Sequence, residues 1–387
     1  MKTKIYLDNA ATTKIDEKVV KEMLPYLEEK FGNASSQHSV GHEAKNAMER
    51  SRKIIAKAIN AKPDEIIFNS GGTEGNNTIL KGLWFQNQKD KTGKNHFITT
   101  KVEHDCILNV CKWLETQGAQ ITYLDVNKQG FIDLKQLKES IKPETIIVSV
   151  IHGNNEVGTI QDLEAIGEIC KEKQVLSHSD ACQSFTKVKL DVKKQNLDFL
   201  TLNSHKIHGP KGIGAIYKKS GIKIIPLFHG GGHEHKQRSG TENIPGIVGF
   251  GKAIDVAKSK DFDKIQKLQE KLIKGVLEIP KVTLNGPEPG KNRLQNNANF
   301  SFNDIEGEAI GGYLENEGIL SSTGSACMSN TLETSHVLKA MGLSALESNS
   351  SIRMTLSKYT TEEEIDYVLK KLPGIVKKLR RFSPLVN

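Results

Sequence analysis

Short apolar runs alternate with amphipathic stretches along most of the chain before residue 250. Each run holds four to six residues and is bounded by polar or turn residues, which is typical of buried strands in an α/β sheet. The runs lie at residues 65–68, 96–99, 121–124, 145–150, 175–178 and 197–202. The alternation of these runs with helical patterns predicts a mainly parallel sheet with helices on both of its faces.

Two amphipathic helices precede this alternation, and long charged helices follow it. Asp16 is the predicted N-cap of the first helix, which we end at Gly32, and the second helix runs through Ile59. Near residue 255 the pattern changes to charged helices and shorter strand–helix units. We therefore expect two domains. The large domain covers residues 16–255, and a smaller α+β domain covers residues 1–15 and 256–387.

The composition is that of an ordinary globular protein. With 387 residues, 37% of them hydrophobic, the chain can bury a large core. No apolar run approaches the length of a membrane span, and the first residues lack the apolar core of a signal peptide. We therefore expect a cytoplasmic protein with no membrane partner.

The formal net charge of +8 allows attraction to nucleic acid or to an acidic partner. Most of the excess is dispersed lysine, however. The densest basic stretch, residues 370–381, lies on a predicted helix whose apolar residues share the opposite face. A solvated helix face accounts for that stretch, so we do not expect a nucleic-acid partner.

The five cysteines are scattered and odd in number, and none forms a Cys-x-x-Cys pair. Neither a disulfide framework nor a zinc site is therefore predicted. We interpret Cys106, Cys111 and Cys170 as core residues because their neighbours are apolar. Cys182 lies beside an aspartate of interest, and Cys327 lies among small polar residues, where a thiol can be reactive.

Three histidines in the loop before residue 240 raise the question of a metal site. Their spacing is looser than that of known zinc motifs, so we predict no metal ion there. The loop is better explained as the support for Arg238 and Thr241. The histidines are His229, His233 and His235.

Residues that can do chemistry follow four of the predicted strands. Gly72 and Thr73 open a helix after the first run, an arrangement that presents backbone N–H groups and a helix dipole to a phosphate. Asn155, Asp180 and Lys206 follow the runs that end at residues 150, 178 and 202. In α/β sheets, ligands bind just beyond the carboxyl ends of the strands. These side chains are therefore expected at one site.

Taken singly, each of these features has a plainer explanation, since glycines start many helices and most loop lysines are solvated surface charges. Together they match the requirements of pyridoxal 5'-phosphate. Lys206 can form a Schiff base with the aldehyde, and Asp180 can keep the pyridine nitrogen protonated so that the ring accepts electrons. The helix that begins at Gly72 can hold the phosphate.

With these residues in view, the sequence resembles the pyridoxal-phosphate cysteine desulfurases of the class-V aminotransferase family, which supply sulfur for iron–sulfur cluster assembly. The resemblance extends from residue 6 almost to the C-terminus. The motifs that carry it are Tyr6-Leu7-Asp8-Asn9-Ala10-Ala11-Thr12-Thr13, Ser70-Gly71-Gly72-Thr73-Glu74, Val102-Glu103-His104, Asn154-Asn155-Glu156, Asp180-Ala181-Cys182-Gln183, Ser204-His205-Lys206, Arg238-Ser239-Gly240-Thr241, Ser325-Ala326-Cys327 and Ser350-Ser351-Ile352-Arg353.

The resemblance implies pyridoxal-phosphate fold type I, the aspartate-aminotransferase fold. This fold has a large domain with a mixed, mainly parallel seven-stranded sheet and a smaller α+β domain, and it is assembled as a homodimer.

The resemblance also implies a role for each motif residue around the cofactor ring. Lys206 is the Schiff-base lysine and Asp180 is the partner of the pyridinium nitrogen. His104 stacks on the ring and shuttles protons. Asn155 and Gln183 hydrogen-bond the phenolic oxygen of the ring.

Three further groups of residues are implied for the phosphate, the substrate and the sulfur. The phosphate lies at Gly72, Thr73, Asn203 and His205, with Thr241 reaching in from the other subunit. Asn203 departs from the family pattern, since many relatives have serine there. Arg353, with Asn155, binds the substrate carboxylate. Cys327 is the nucleophile, on a segment that we expect to be a mobile surface loop.

The implied reaction converts L-cysteine to L-alanine and leaves sulfur as a persulfide on Cys327. The sulfur then passes to an iron–sulfur scaffold protein or to another acceptor for thio-cofactor synthesis. Two alternatives stay open. The chain could be a selenocysteine lyase, whose chemistry is nearly the same, or a basic nucleic-acid-binding protein that kept the fold without the chemistry.

Overall fold

The computed structural model describes residues 4–323 and 334–383. Elements are numbered in chain order. The strands are β1 (Ile5–Tyr6), β2 (Ile66–Asn69), β3 (His96–Thr100), β4 (Gln120–Leu124), β5 (Thr145–Ser149), β6 (Leu176–Asp180), β7 (Phe199–Asn203), β8 (Gly214–Lys218), β9 (Val282–Leu284), β10 (Asn297–Phe302), β11 (Ile319–Leu320) and β12 (Ser351–Thr355). The helices are α1 (Glu17–Leu27), α2 (Ser39–Ala58), α3 (Gly72–Asp90), α4 (Asp105–Thr116), α5 (Leu134–Ser140), α6 (Leu163–Glu172), α7 (Ile244–Val256), α8 (Ser259–Leu277), α9 (Gly307–Asn316), α10 (His336–Ala340), α11 (Ala345–Asn349) and α12 (Glu362–Phe382).

A seven-stranded sheet forms the centre of the molecule, in the order β2-β8-β7-β6-β5-β3-β4. Strand β8 is antiparallel to both of its neighbours, and the remaining pairs are parallel. The prediction of a mixed, mainly parallel sheet is confirmed. All six predicted strands are present, whereas β8 was not apparent from the apolar pattern.

Helices cover both faces of this sheet because successive strand residues point to opposite sides. Ile67, Phe97, Ile147 and Phe199 belong to one core, which packs against α3 and α4. Their chain neighbours Phe68, Ile98, Val148 and Leu200 belong to a second core, which packs against α2, α6 and α7. All eight are almost inaccessible to solvent. The layered α/β architecture expected from the sequence is therefore present.

A separate apolar core lies among the later elements. It joins Ile5 and Leu7 to α8, α9, β10, β12 and α12. Strand β1 pairs in parallel with β11, and β12, β10 and β9 form an antiparallel sheet. The N-terminal residues therefore pack with the C-terminal part of the chain. The domain limits at residues 15 and 255 stay a prediction.

The first helix begins as predicted and ends earlier than predicted. The Asp16 carboxylate accepts a hydrogen bond from the Lys18 N–H at 2.8 Å, as an N-cap does. The prediction that Gly32 ends the helix is wrong, because α1 ends at Leu27, two residues after Pro25. A Cβ at Gly32 would lie 2.2 Å from the Val40 carbonyl oxygen, so the glycine permits close approach to α2 instead.

The basic C-terminal stretch lies on α12, whose apolar residues Ile365, Val368 and Leu372 are fully buried. The Arg380 guanidinium donates to the Pro280 carbonyl oxygen at 2.6 Å and is therefore partly engaged within the protein. The stretch is an amphipathic helix, as predicted. Across the described ranges, no helix combines the length and apolar character needed to span a bilayer.

A buried ion pair holds the loop between β8 and α7. Both nitrogens at the tip of the Arg52 guanidinium donate to the Glu234 carboxylate, at 2.7 and 2.8 Å, and the Phe68 N–H donates to the same carboxylate at 2.7 Å. Glu234, His235 and Lys236 all have positive φ angles between 43° and 64°, which non-glycine residues rarely adopt. The ion pair holds this strained segment in place.

Removing one partner of this pair leaves a buried charge uncompensated. We expect Arg52→Met to destabilise the protein by about 3–5 kcal/mol, seen as a lower denaturant midpoint in urea unfolding. Lys138→Met, which breaks the exposed Lys138–Glu172 pair, is the matched control and should leave the midpoint nearly unchanged. Equal shifts of the midpoint for the two variants would show that the buried pair stabilises the protein no more than an exposed pair does.

Candidate active site

A cavity of about 410 Å³ opens at the carboxyl end of the central sheet. It is closed on the other side by α10 and β12. Nine of the residues singled out from the sequence line it: Gly72, Thr73, His104, Asn155, Asp180, Asn203, His205, Lys206 and Arg353. Gln183 and Thr241 do not line it, and Cys327 lies outside the described residues.

Asp180 is the last residue of β6 and is almost fully buried. Its carboxylate accepts hydrogen bonds from the Asn76 side-chain amide at 2.7 Å and from the Cys182 N–H at 2.9 Å. These are the donors that a buried carboxylate requires. Asn76 was missed in the sequence analysis. Its only signal is helical spacing, since it lies one turn after Gly72 on α3 and so faces the same way.

Lys206 lies in a turn directly after β7. The Gly209 N–H donates to the Ser204 carbonyl oxygen at 3.1 Å and closes the turn. A Cβ on Gly209 would lie 1.9 Å from the Ser204 hydroxyl oxygen, so only glycine fits. Thr13 holds the turn from outside, since its N–H and its hydroxyl both donate to the His205 carbonyl oxygen, at 3.0 and 2.8 Å. The lysine therefore has a fixed backbone.

The start of α3 provides an anion site on the floor of the cavity. Its N-cap residue, Gly71, supplies no side-chain cap, so the first N–H groups of the helix are left for a ligand. A Cβ on Gly72 would lie 2.6 Å from the Cys182 sulfur, so a larger residue would not fit. The Asn203 side-chain oxygen is buried and has no partner among the described residues.

His205 borders the same anion site and is neutral there. Burial, followed by the positive charge of Lys206, lowers the pKa of His205 to about 4. Its Nδ1 lies 3.2 Å from the Thr12 hydroxyl oxygen. A neutral imidazole can still donate one N–H to a phosphate oxygen. The helix start, Thr73 and His205 together fit the phosphate of the predicted cofactor.

His104 is the N-cap residue of α4, and its ring lines the cavity. Its Nδ1 accepts a hydrogen bond from the Cys106 N–H at 3.2 Å and lies 3.1 Å from the Cys106 sulfur. Burial, followed by the charge of Lys206, lowers the pKa of His104, which keeps the ring neutral near pH 7. Because Nδ1 acts as an acceptor, Nε2 carries the proton.

Cys106 has a second environment besides the core that was predicted for it. Cys111 and Cys170 are core residues, as predicted, but Cys106 lines the cavity, where its sulfur lies between the His104 ring and the Asn76 amide nitrogen, 3.1 Å from each. Cys106 also packs against the core that contains Ile107 and Val110, so it lies at the boundary between that core and the cavity. Cys182 also lines the cavity.

Arg353, in the middle of β12, presents its guanidinium to the cavity from the opposite wall. One terminal nitrogen donates to Asp8 at 2.9 Å, and the other donates to the Asn155 carbonyl oxygen at 3.1 Å. Its Nε is buried and has no acceptor among the described residues. An unused donor on a nearly buried cation fits a carboxylate ligand.

Two predicted residues have other neighbours. The Gln183 amide donates to the Ala10 carbonyl oxygen at 2.8 Å. Thr241 is exposed and borders a separate hollow with Arg238, whose Nε donates to Glu74 at 3.0 Å. Their cofactor roles stay predictions.

The histidine loop shows no metal site. His233 accepts a hydrogen bond from the Gly240 N–H, and no cluster of His, Cys, Asp or Glu within the described ranges could hold a metal ion.

The four described cysteines should resist alkylation in the native protein, because burial raises the pKa of each thiol and only the thiolate reacts. For Cys106 and Cys170 the pKa rises to about 12, and for Cys111 and Cys182 it also lies well above the ordinary value. We expect iodoacetamide at pH 7.5 to label Cys327 first, as measured by peptide mass spectrometry. Rapid native labelling of Cys106 in a Cys327→Ser variant would contradict this expectation.

Comparison with known proteins agrees with this geometry. Residues 5–368 match the aminotransferase class-V family. The chain is 46% identical to cysteine desulfurase IscS of Clostridium botulinum, over 100% of this chain and 97% of the relative. A solved NifS-like protein has a TM-score of 0.91 at 37% identity, covering 97% of this chain and 100% of the other. A structure titled SspA in complex with cysteine has a TM-score of 0.82 at 38% identity, covering 93% and 100%.

These matches extend over nearly the whole chain, so they apply to the fold and to the cavity together. The residues that line the cavity also fit pyridoxal 5'-phosphate, as the anion site at α3, the buried Asp180 and the fixed Lys206 indicate. The chain therefore belongs to the class-V aminotransferase family and, within it, to the pyridoxal-phosphate-dependent cysteine desulfurases.

Proposed function

We propose that this protein converts L-cysteine to L-alanine and carries the sulfur as a persulfide on Cys327. The observation that carries the proposal is that Asp180, Lys206 and Arg353 line one cavity. A carboxylate for the ring nitrogen, an amine for the aldehyde and a guanidinium for the amino-acid carboxylate are the groups that pyridoxal-phosphate chemistry on an amino acid requires. The names of the relatives support cysteine as that amino acid.

The cofactor would be held by residues of the central sheet. Gly72, Thr73, Asn203 and His205 surround the anion site for its phosphate. Asp180 would hold a proton on the ring nitrogen, and the bound cofactor supplies an electron sink for the substrate's α-carbon. Asn155 borders the cavity from a separate turn and could contact the phenolic oxygen, the role also proposed for Gln183.

Two side chains can move protons at the substrate. The Lys206 Nζ accepts the α-proton, since an amine that has released its covalent partner is a base. His104 is neutral with its proton on Nε2, so the Nε2–H group can donate a hydrogen bond to the substrate sulfur, and the ring can transfer a proton after it has taken one up. Both groups are only partly exposed, which limits exchange of these protons with water.

The substrate carboxylate would bind at Arg353. Its Nε has no acceptor among the described residues, while Asp8 and the Asn155 carbonyl oxygen hold the two terminal nitrogens. These contacts fix the guanidinium plane before substrate arrives, which reduces the ordering cost of binding.

Sulfur transfer then requires a nucleophile. The Cys327 thiolate attacks the substrate sulfur, a sulfur–sulfur bond forms, and the carbon–sulfur bond of the substrate breaks. The electron pair of that bond stays with the substrate, whose β-carbon takes up a proton. The sum is L-cysteine plus enzyme thiol giving L-alanine plus enzyme persulfide, in which atoms and charges balance.

We propose that the active unit is a homodimer. Large apolar side chains are exposed around the end of α1 and the start of α2: Leu24, Leu27, Phe31 and Val40. Phe31 is 78% exposed, which is unusual for its size and supports an interface there. Thr241 is also exposed and borders a different hollow from the cavity of its own chain, which is compatible with its predicted contact to the phosphate of the other subunit.

The proposed setting is the cytoplasm, with an iron–sulfur scaffold protein or another thio-cofactor pathway protein as acceptor. The four described cysteines are free thiols, and a reactive thiol at Cys327 requires a reducing compartment. The acceptor follows from the family resemblance, since sulfur held as a persulfide must pass to another thiol or nucleophile before a second turnover.

The lysine assignment is tested by covalent chemistry. After borohydride reduction and digestion, we expect mass spectrometry to find the pyridoxyl adduct on Lys206 and on no other side chain. Lys206→Ala should lose the adduct and the visible absorbance of the covalent cofactor. Lys187 lines a second, smaller cavity together with Lys206. An adduct on Lys187 would contradict the assignment.

The nucleophile assignment is tested by product analysis. Cys327→Ala should retain bound cofactor but lose sulfide release from L-cysteine in the presence of dithiothreitol, because the sulfur has no acceptor thiol. Cys170→Ala, on the buried face of α6, is the matched control and should keep the wild-type rate. Normal sulfide release by Cys327→Ala would refute the assignment of Cys327 as the nucleophile.

The substrate is tested by comparing cysteine with selenocysteine. Release of alanine from selenocysteine but not from cysteine would favour a selenocysteine lyase.

A further inference from the structure

Two neighbouring residues at the start of α10 contact the turns that carry His104 and Asn155. They are Ser335, the N-cap residue of α10, and His336, its first residue. Both line the cavity, on the wall opposite the central sheet. Neither was identified in the sequence analysis. We call Ser335 and His336 the α10 anchor.

His336 contacts the residues on both sides of His104. Its Nε2 lies 2.8 Å from the Glu103 carbonyl oxygen, and its Nδ1 lies 3.9 Å from the Asp105 carboxylate. Because a carbonyl oxygen only accepts, Nε2 carries the proton and donates it. The peptide unit that leads into His104 is therefore held by a side chain from a distant part of the sequence.

Ser335 makes the equivalent contact beside Asn155. Its hydroxyl donates to the Glu156 carboxylate at 2.6 Å and accepts from the Leu338 N–H at 3.1 Å. Glu156 follows Asn155 directly and is only 4% exposed. Burial raises the pKa of Glu156, and the serine hydroxyl opposes that rise. A single helix start thus holds both turns.

We propose that His336 is a positioning residue for His104 and that Ser335 acts likewise for the turn of Asn155. This inference rests on the proposed function, in which His104 moves a proton at the substrate. Two hydrogen bonds fix the position of the His104 ring. The Cys106 N–H donates to its Nδ1, and the His336 side chain donates to the Glu103 carbonyl oxygen in the preceding peptide unit. Small displacements of a proton-transferring group cost large factors in rate.

The hydrogen bond of His336 can be removed without undocking α10. Val337, Leu338 and Met341 are buried and pack against Val102 and Val157, on the same two turns. The Glu103 carboxyl group is held separately by Thr100 and by the Ile151 N–H, both at 2.8 Å. Loss of the His336 donor therefore frees one carbonyl group while the surrounding packing remains.

The matched variants are His336→Leu and His336→Gln. Leucine fills the volume and lacks a donor, whereas the glutamine amide can donate to the Glu103 carbonyl oxygen but does not titrate. We expect His336→Leu to lower kcat for alanine formation by about ten-fold, the effect of one hydrogen bond. The KM for cysteine should change by less than about two-fold because Arg353 is untouched. His336→Gln should restore most of kcat.

Hydrogen exchange of the apoprotein gives a readout independent of turnover. The N–H groups of Cys106 and Ile107 bond to the ring and the carbonyl oxygen of His104, so they report on its position. Their exchange should be faster in His336→Leu than in the wild type and in His336→Gln. Wild-type exchange together with a wild-type kcat in His336→Leu would overturn the inference, as would a glutamine variant as impaired as the leucine variant.

Ser335→Ala tests the second half of the α10 anchor and covers the case in which His336→Leu is unstable. It should speed exchange at residues 155–157 and lower kcat, and it should destabilise the protein by about 1–2 kcal/mol because α10 loses its N-cap. Unchanged exchange there would refute the role of Ser335. Failure of the wild-type protein to desulfurate cysteine would refute the proposed function instead. The hydrogen-exchange rates would still test whether the α10 anchor holds the two turns.

Discussion

The parallel pairing of β6 with β7 is the interaction on which the site depends. Asp180 lies opposite Thr201 in this pair, and the chain leaves β7 at Asn203 to enter the turn of Lys206. Neighbouring strands lie about 4.8 Å apart, so backbone hydrogen bonds alone bring the acid and the amine to one place. Side chains then refine the arrangement: Asn76 orients the carboxylate and Thr13 holds the lysine turn.

This constraint explains why much of the site could be predicted from the sequence. The strand before Lys206 is a short apolar run buried on both faces, which gives a strong signal even without knowledge of the fold. Strand β6, which ends at Asp180, is also buried but has Leu176 as its one apolar residue, so its signal is weaker. Parallel strands end at the same edge, so the residues that follow them must converge. Gly72 and Thr73 were found for the same reason, because α3 begins directly after β2.

Other parts of the structure gave no such signal. Strand β8 begins with Gly214 and Ala215, so its apolar pattern is weak, and it joins the sheet in the opposite direction, which apolar periodicity does not encode. Cys106 packs against the core as predicted, but periodicity does not tell that the first turn of its helix also meets a cavity. Ser335 and His336 contact residues more than 170 positions earlier, and no local pattern reports a contact of that range.

The early residues have a consequence for how the protein is made. Strand β1 pairs with β11, Asp8 bonds Arg353, and Thr13 bonds His205, so this segment is synthesised long before several of its partners. The central sheet uses only residues 66–218 and can assemble while translation continues. The substrate cavity, however, is completed only when β12 has been synthesised and the waiting N-terminal segment docks beside it. A nascent chain can therefore hold a folded sheet for some time without having a working enzyme.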